Sequence, residues 1–178
     1  KGTPPSLVKP STPINIARLQ YLTSAHPHSS MVAEVINSLT HGVDIGFSST
    51  VRASNTPNMK SALENRKVID ATLTKEVQLG WSAGPFSSPP FEPFVINSIG
   101  VVPKKNGGHR MNTDLSRPDD SVNAHINKEQ FSMIYSRVDD ATAILSQLGD
   151  TALMCKMDIK DAFRLIPVRP QDWPLLEE

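Results

Sequence analysis

Cysteine is almost absent from this sequence, since Cys155 is the single one in 178 residues. One thiol has no partner for an internal disulfide and cannot build a zinc knuckle, so we expect a reducing, intracellular compartment, either cytoplasmic or nuclear. The thiol itself is expected to lie in the core. The chain begins at Lys1 without an initiator Met and without an apolar leader, which favours a fragment that has no signal peptide.

Long apolar runs and an excess of either charge are also absent. Eighteen Lys and Arg balance eighteen Asp and Glu, and 38% of the residues are apolar. These values exclude a membrane span, a histone-like basic protein and a disordered acidic tail. Residues 101–118 nevertheless carry four basic side chains and one acidic, whereas residues 119–150 carry six acidic and two basic. The neutral total therefore permits a local cationic groove.

The first eighty residues have the apolar spacing of amphipathic helices. Thr12 before Pro13 predicts the cap of a helix near 13–24, and Ser30 predicts the cap of a second helix that ends at Gly42. A third helix is predicted over about 67–79. We interpret the apolar faces of these helices as core packing; the members are Ile14, Ala17 and Leu22, then Val32, Val35, Ile36 and Leu39, then Ile69, Leu73 and Val77.

Proline and phenylalanine are concentrated between the helical part and the rest of the chain. Four prolines and three phenylalanines lie in the eleven residues 84–94. This proline density excludes regular helix and predicts an extended connector with aromatic side chains. A ligand of an SH3-type domain would show similar spacing, so both interpretations remain open.

A β-hairpin is predicted over 99–115. A β-branched run leads into Asn-Gly-Gly at 106–108, and the second arm alternates apolar and polar residues. Lys104 and Lys105 lie beside the turn on one arm and Arg110 lies on the other. These cations converge at the tip, where they could bind phosphate oxygens. An ordinary solvated hairpin has the same pattern, so the residues alone leave both interpretations open.

Another helix is predicted from Arg137 to Leu148. Asp139 or Asp140 would cap it or complement its first turn, and Gly149 would end it. The apolar residues of this helix are expected to face the core; they are Ile144, Leu145 and Leu148.

The apolar run from Ala152 to Met157 predicts a buried strand that ends at Asp158. A carboxylate held at a strand end, followed by a main-chain carbonyl, is a suitable place for Mg²⁺. An Asp after a strand is also a common turn former, so the residues alone do not decide between the two.

The order of these pieces resembles the N-terminal half of a reverse transcriptase domain, over about residues 80–176. Four motifs carry the resemblance: Gly-Val-Val-Pro-Lys-Lys-Asn-Gly-Gly-His-Arg at 100–110, Asp-Leu-Ser-Arg-Pro at 114–118, Met-Asp-Ile-Lys-Asp-Ala-Phe-Arg-Leu-Ile-Pro-Val at 157–168 and Asp-Trp-Pro-Leu-Leu at 172–176. The likeness is closest to the reverse transcriptases of tyrosine-recombinase (DIRS-like) retrotransposons. Their upstream helical segment also resembles this chain, notably at 41–47 and at Lys75-Glu76.

The resemblance implies a role for each matching residue. Asp158 would be the first metal-binding carboxylate and Ile159 would add a backbone carbonyl, for two Mg²⁺ ions in the complete domain. Phe163 would be the steric gate against a ribose 2′-hydroxyl, although it could instead be an ordinary buried phenylalanine. The whole implied nucleotide-binding set is Lys104, Lys105, Arg110, Asp161, Ala162 and Phe163.

We therefore predict an α+β fold in three segments: a helical N-terminal extension at 1–83, a Pro/Phe-rich connector at 84–98, and the fingers and beginning of the palm of a right-hand polymerase at 99–178. The implied activity is RNA-directed DNA synthesis, and the implied partners are an RNA or DNA template–primer and dNTPs, with no membrane. The family's later Asp-Asp pair does not occur before Glu178. We thus expect the chain to be inactive alone and to bind Mg²⁺ weakly or not at all.

Two other functions remain open from the sequence. The chain could be a non-catalytic nucleic-acid-binding or assembly module derived from a retroelement, which would use the hairpin without the chemistry. It could also be a structural fragment with no partner. Departures from the family's pattern, such as His109 at a position where tryptophan is frequent, favour a partial gene, an element remnant or a truncated chain over a working polymerase.

Overall fold

Helices and short strands follow one another along the chain, which gives an α+β fold. The structure is a computed structural model, and it describes residues 10–105, 107–131 and 134–178. The helices are α1 (Ile16–Leu22), α2 (Ser29–His41), α3 (Lys60–Glu64), α4 (Arg66–Gln78), α5 (Lys128–Phe131) and α6 (Val138–Leu148). The strands are β1 (Ser54–Asn55), β2 (Val95–Ile96), β3 (Ser98–Pro103) and β4 (His109–Asp114). Short 3-10 turns lie at Val122–His125, Ala162–Arg164 and Pro170–Leu175.

The hairpin expected from the sequence is confirmed. Strands β3 and β4 pair antiparallel from Ser98 opposite Asp114 at the base to Pro103 opposite His109 at the tip. Asn106, the first residue of the expected turn, lies outside the described residues. The core lies under one face of the hairpin and consists of Ala62, Ile69, Ile99 and Val101, with Val68, Leu73 and Met111 packed against them. Because α3 contacts β3 and α4 contacts β4, the two helices support the hairpin together.

Hydrogen bonds tie the second edge of β3 to the start of α3. The amide of Ile99 donates to Oδ1 of Asn58 at 2.9 Å, and the amide of Val101 donates to Oγ of Ser61 at 3.0 Å. The amide of Met59 donates in turn to the carbonyl of Ile99 at 2.9 Å. The polar groups of this buried strand are therefore paired without a third strand, and the hairpin is fixed against α3.

The N-terminal helices form where they are predicted, but their starts differ. The cap of α1 is Asn15, whose Oδ1 accepts the amide of Arg18 at 2.9 Å, so the prediction of Thr12 as the cap is wrong. Asparagine is the stronger cap of the two. The Thr12 hydroxyl instead donates to the carbonyl of Leu165 at 2.6 Å. Helix α2 begins one residue before the predicted cap Ser30, which therefore lies inside the helix.

The predicted apolar faces of these helices are buried unevenly. Leu39 of α2 and Ile69 of α4 are buried, and Leu73 packs against the core. Leu22 and Val35 remain 63% and 45% exposed, so their assignment to the core is wrong. Helices α1 and α2 contact mainly each other, and a pair of helices cannot bury more than one side of each.

Helix α6 forms as predicted, but its apolar side is not buried. Oδ2 of Asp140 accepts the amide of Arg137 at 2.7 Å and caps the first turn, and Gly149 ends the helix. Ile144 and Leu148 are nevertheless 56% and 63% exposed, which contradicts the expected core position. Caps and helix propensity act locally, whereas burial needs a second surface, and the described residues supply none for this face.

The buried strand predicted at 152–157 is wrong. These residues form no strand, and Leu153, Met154 and Met157 are 99%, 75% and 88% exposed. Cys155 is exposed as well, so it is not a core thiol. A strand needs a neighbour for its backbone hydrogen bonds, and none of the described residues pairs with this run. An apolar run alone does not reveal whether that neighbour is present.

The connector and the last residues meet at the base of the hairpin. Residues 84–94 contain neither helix nor strand, as their proline content predicts, and they lead into β2, which pairs in parallel with β1. Glu177 forms a further bridge with Ile96. Asn97 is 1% exposed, and its Nδ2 donates to the carbonyl of Leu175 at 2.8 Å. The C-terminal residues are thus held beside the hairpin. No helix within the described ranges is long and apolar enough to cross a bilayer.

Candidate nucleotide-binding site

The β3–β4 hairpin carries cations around its tip. Lys104 and Lys105 follow the last residue of β3, and Arg110 is the second residue of β4, opposite Val102. All of these cationic side chains are exposed. Within the described residues none of them forms an ion pair. These hairpin cations, Lys104, Lys105 and Arg110, are therefore exposed to solvent and open to contact.

Backbone hydrogen bonds fix the turn that separates the hairpin cations. The amide of Lys104 donates to the carbonyl of Gly108 at 2.7 Å, and the amide of Gly107 donates to the carbonyl of Lys104 at 3.1 Å. Gly107 has a φ of 83°, a conformation that a side chain would strain. The backbone positions of the cations are therefore set by the turn, and only their side chains are free to adapt.

The expected metal ligands, Asp158 and Ile159, lie in the exposed irregular segment that follows α6. They offer one carboxylate and one main-chain carbonyl, and both are the hard oxygen ligands that Mg²⁺ takes. The described residues contain no group of three His, Cys, Asp or Glu side chains that could hold a metal ion. Asp158 and Ile159 therefore fit only part of an octahedral Mg²⁺ sphere, which water and substrate phosphates would have to complete.

A tight turn presents the other residues of the expected site. Asp161 has a left-handed φ of 54°, and the amide of Arg164 donates to its carbonyl at 2.8 Å, which starts the 3-10 turn Ala162–Arg164. Phe163 is left 96% exposed. The alternative that Phe163 is a buried core residue is therefore wrong, and its role as a steric gate stays a prediction.

An ion pair between an exposed arginine and a buried carboxylate connects this turn to α4, and the sequence did not indicate it. Nη2 of Arg164 donates to Oε1 of Glu76 at 2.5 Å, and Oγ of Ser82 donates to Oε2 of Glu76 at 3.1 Å. Glu76 is only 7% exposed. The partners lie 88 residues apart in the chain, so no local spacing could predict the contact. The one available signal was that Lys75-Glu76 belongs to the family resemblance.

Glu178 lies close to this ion pair and is bound to the hairpin. The Thr113 hydroxyl of β4 donates to Oε2 of Glu178 at 2.6 Å. Partial burial raises the pKa of Glu178, and the negative charge of Glu76 acts in the same direction. The hydrogen bond from Thr113 and the positive charge of Arg164 oppose that rise. Two carboxyl groups therefore lie within the field of one guanidinium.

Helix α4 is the element that brings most of these parts together. Ile69 and Leu73 pack under the hairpin, while Glu76 binds the turn that carries Phe163. The hairpin and the turn are therefore anchored to one helix. Asp158 makes no hydrogen bond or ion pair within the part of the chain that the structure describes, so it is not fixed relative to the hairpin cations.

A second charged cluster borders an open cleft of about 870 Å³ between α2 and residues 169–171. Arg169 pairs with Asp44, and its Nε and Nη2 donate to the two oxygens of Asp172 at 2.9 and 3.2 Å. The hydrogen bond from Arg169 to Asp172 raises the pKa of Arg169. Asp172 is 4% exposed and also accepts the amide of Ile45 at 3.2 Å. The charged groups of this cluster pair with one another, so we interpret the cluster as a structural contact between residues 44–45 and residues 169–172.

Comparison with known proteins assigns no function to this site. No protein-family model, no curated protein and no solved structure matches the chain. The case for a function therefore rests on the motifs and on the geometry of the hairpin and the turn.

Proposed function

We propose that the chain is the fingers and the beginning of the palm of an RNA-directed DNA polymerase, in which the β3–β4 hairpin binds nucleotide phosphates. The observation that carries this proposal is the group of exposed cations, Lys104, Lys105 and Arg110, at the tip of a hairpin whose base is packed in the core. The order of the sequence motifs supports the same function.

The chemistry of the hairpin cations suits a triphosphate. A guanidinium donates two parallel hydrogen bonds to phosphate oxygens, and lysines add point charges that adapt to the remaining oxygens. Because the core and the turn already hold the backbone of the hairpin, binding would order only side chains. Such preorganisation raises affinity, since less conformational freedom is lost on binding.

The exposed segment after α6 would supply the rest of the nucleotide site. Asp158 and the carbonyl of Ile159 would hold Mg²⁺, which neutralises phosphate charge when it is bound. The backbone of Asp161 and Ala162 would line the path of the phosphates. The ring of Phe163 is 96% exposed and would contact the sugar of a dNTP placed against an RNA or DNA template–primer.

A non-catalytic nucleic-acid-binding module is the second candidate function. The observation that favours it is that the hairpin cations are exposed and positioned without any contribution from Asp158. Phosphates of a nucleic-acid backbone would satisfy these cations as well as a triphosphate would. In this case the hairpin alone would account for binding.

The affinity for dATP, measured by calorimetry against deoxyadenosine, tests the phosphate role of the hairpin. We expect the combined change Lys104→Ala, Lys105→Ala and Arg110→Ala to weaken dATP binding at least about tenfold, because each charge-assisted contact contributes roughly 1.5–3 kcal/mol. Deoxyadenosine lacks the phosphates, so its weak binding should not change.

A matched control is available on α4. The combined change Arg66→Ala, Lys67→Ala and Lys75→Ala removes the same side-chain types from exposed positions on α4 rather than from the tip of the hairpin. We expect this control to keep the dATP affinity within about twofold, since these side chains do not belong to the hairpin tip that is proposed to bind the phosphates. Equal losses in the hairpin variant and the control would contradict the proposal.

The change Asp158→Asn separates the two candidate functions. The polymerase function predicts that Mg²⁺ strengthens dATP binding to the natural chain more than to the variant, because an amide is a poorer ligand for a hard cation. The binding-module function predicts the same Mg²⁺ effect in both proteins. Asn at position 158 removes no buried contact, so loss of fold should not confuse the comparison.

A further inference from the structure

We propose that Glu76 is a positioning residue for nucleotide binding, because it fixes the Asp161–Phe163 turn to α4 through Arg164. The inference rests on the proposed function and extends it to the helical part of the chain. Glu76 would touch neither the nucleotide nor the metal. Its effect would be to hold the turn at a set place relative to the hairpin cations.

The segment that carries the turn has few connections to the rest of the protein. Between residues 151 and 164 the backbone hydrogen bonds of Ala152 and Arg164 are local, to Gly149 and Asp161. Among the described residues, two contacts join this segment and the residue that follows it to distant elements: Arg164 pairs with Glu76, and the carbonyl of Leu165 accepts the Thr12 hydroxyl at 2.6 Å. Of these two, the pair with Glu76 is the one that ties a side chain of the turn to α4.

The acceptor of this contact is held rigidly. Both oxygens of Glu76 are engaged, Oε1 by Arg164 and Oε2 by the hydroxyl of Ser82, and the side chain is almost completely buried. The backbone of Glu76 is also held in place, since the amide of Trp81 donates to the carbonyl of Glu76 at 2.9 Å. Arg164 therefore meets a carboxylate that is held in place, and the pair fixes the distance between the turn and α4.

The position of Glu76 relates the turn to the hairpin. Ile69 and Leu73, on the same helix, pack under the hairpin, so α4 supports both halves of the proposed site. Loss of the pair would detach the turn from α4 but would leave the hairpin in place. Nucleotide binding would then need to order the segment first, which lowers the observed affinity.

A purely structural role for the pair makes a different prediction. A change at Glu76 disturbs a buried carboxylate and its hydrogen bonds, and so destabilises the fold whatever the site does. Stability alone therefore cannot separate the two roles. The two roles are separated by the position of the turn and by the dATP affinity of the folded protein. Both are measured well below the unfolding temperature.

The experiment combines dATP binding with ¹⁹F NMR of the full chain labelled with fluorophenylalanine. The chain has six phenylalanines, and the change Phe163→Leu identifies the signal of the turn. We expect Glu76→Gln to shift and narrow the Phe163 signal and to weaken dATP binding roughly tenfold, because the turn would have to be ordered on binding. The matched control is Glu64→Gln on α3, whose carboxylate is 59% exposed and pairs only with Lys60 at 3.4 Å. Glu64→Gln should change neither the Phe163 signal nor the dATP affinity.

Arg164→Lys is the second variant, for use if Glu76→Gln does not fold. The Arg164 side chain is 41% exposed, and lysine keeps the charge but not the planar donors, so the fold should persist with a smaller loss of dATP affinity. The double variant Glu76→Gln with Arg164→Lys should bind dATP no worse than the weaker single variant, because both changes break one contact.

The outcomes separate this inference from the proposed function. If the hairpin variant loses dATP affinity while Glu76→Gln and Arg164→Lys keep it, the inference fails and the proposed function stands. If the natural chain and the hairpin variant bind dATP equally, the proposed function fails and the inference fails with it. An unshifted Phe163 signal in both variants also overturns the inference, since the turn would then be held by other contacts.

Discussion

At the scale of the residue, Gly42 decides whether α2 can meet the C-terminal part of the chain. Its φ is 90°, and a Cβ there would lie inside van der Waals contact with the backbone of Arg169. The close approach arises because Val43 and Val168 form a bridge, in which the amide of Val43 donates to the carbonyl of Pro167 at 2.8 Å. Gly42 thus serves both as the end of α2 and as the contact surface for this bridge.

Gly42→Ala should therefore lower the free energy of unfolding by at least about 2 kcal/mol, since backbone strain and a clash with fixed backbone atoms add together. Gly149→Ala is the matched control. Gly149 ends α6 with a φ of 81°, but no atom lies within 4 Å of the position of its Cβ. Chemical denaturation of the three proteins checks this. Equal losses of unfolding free energy in the two variants would show that the close approach of position 42 to Arg169 does not contribute to stability.

Phe163 permits a second test at the same scale. Because its ring is 96% exposed, Phe163→Val should change the free energy of unfolding by no more than about 0.5 kcal/mol. If the ring excludes the 2′-hydroxyl, the same change should move the ratio of ATP to dATP affinity towards one. The exposed Phe86 of the connector provides the control, Phe86→Val. An unchanged ratio would show that Phe163 is not the gate.

At the scale of the element, the C-terminal residues carry two carboxyl groups whose pKa values are raised, with Glu177 beside the connector and Glu178 on the hairpin. Burial raises the pKa of Glu177 and of Glu178 above the ordinary 4.5, only partly offset by the amide of Phe91 and the hydroxyl of Thr113. Protons therefore bind more tightly to these two carboxyl groups in the folded state than in the unfolded state. Their contribution to stability is complete below the ordinary pKa and is lost as the pH rises through the raised values.

We expect the natural chain to lose stability relative to the double variant Glu177→Gln with Glu178→Gln as the pH rises from about 4 to about 7. Denaturation midpoints at several pH values measure the difference between the two proteins. The double variant serves as the reference for the natural chain, because all other titratable groups are present in both proteins. A constant difference, or one that changes in the opposite direction, would contradict the expected docking.

The elements also show what a sequence can and cannot predict. The hairpin, α4 and α6 were predictable because turn residues, helix caps and apolar spacing act over a few residues. Burial was less predictable, since Leu148 of α6 and Met154 of the following run have apolar patterns but no covering surface. The pair of Glu76 and Arg164 was not predictable at all, because two surface-type residues 88 positions apart carry no pattern.

At the scale of the whole molecule, the fold places its charges in a definite arrangement. The core joins α3 and α4 to the β3–β4 hairpin, and the exposed end of that hairpin carries Lys104, Lys105 and Arg110 without an ion-pair partner among the described residues. The acidic groups closer to the base of the hairpin, Glu76 and Glu178, are engaged with Arg164 and Thr113. A neutral chain can therefore still present a cationic surface.

The salt dependence of binding to an RNA template annealed to a DNA primer tests this account most directly. Each phosphate contact that a cation makes contributes about 0.9 to the slope of the logarithm of affinity against the logarithm of salt concentration. We predict that replacing the hairpin cations with alanine weakens binding and lowers the magnitude of that slope by about two to three, whereas the α4 control changes neither. Parallel salt plots for the natural chain and the hairpin variant would contradict the account.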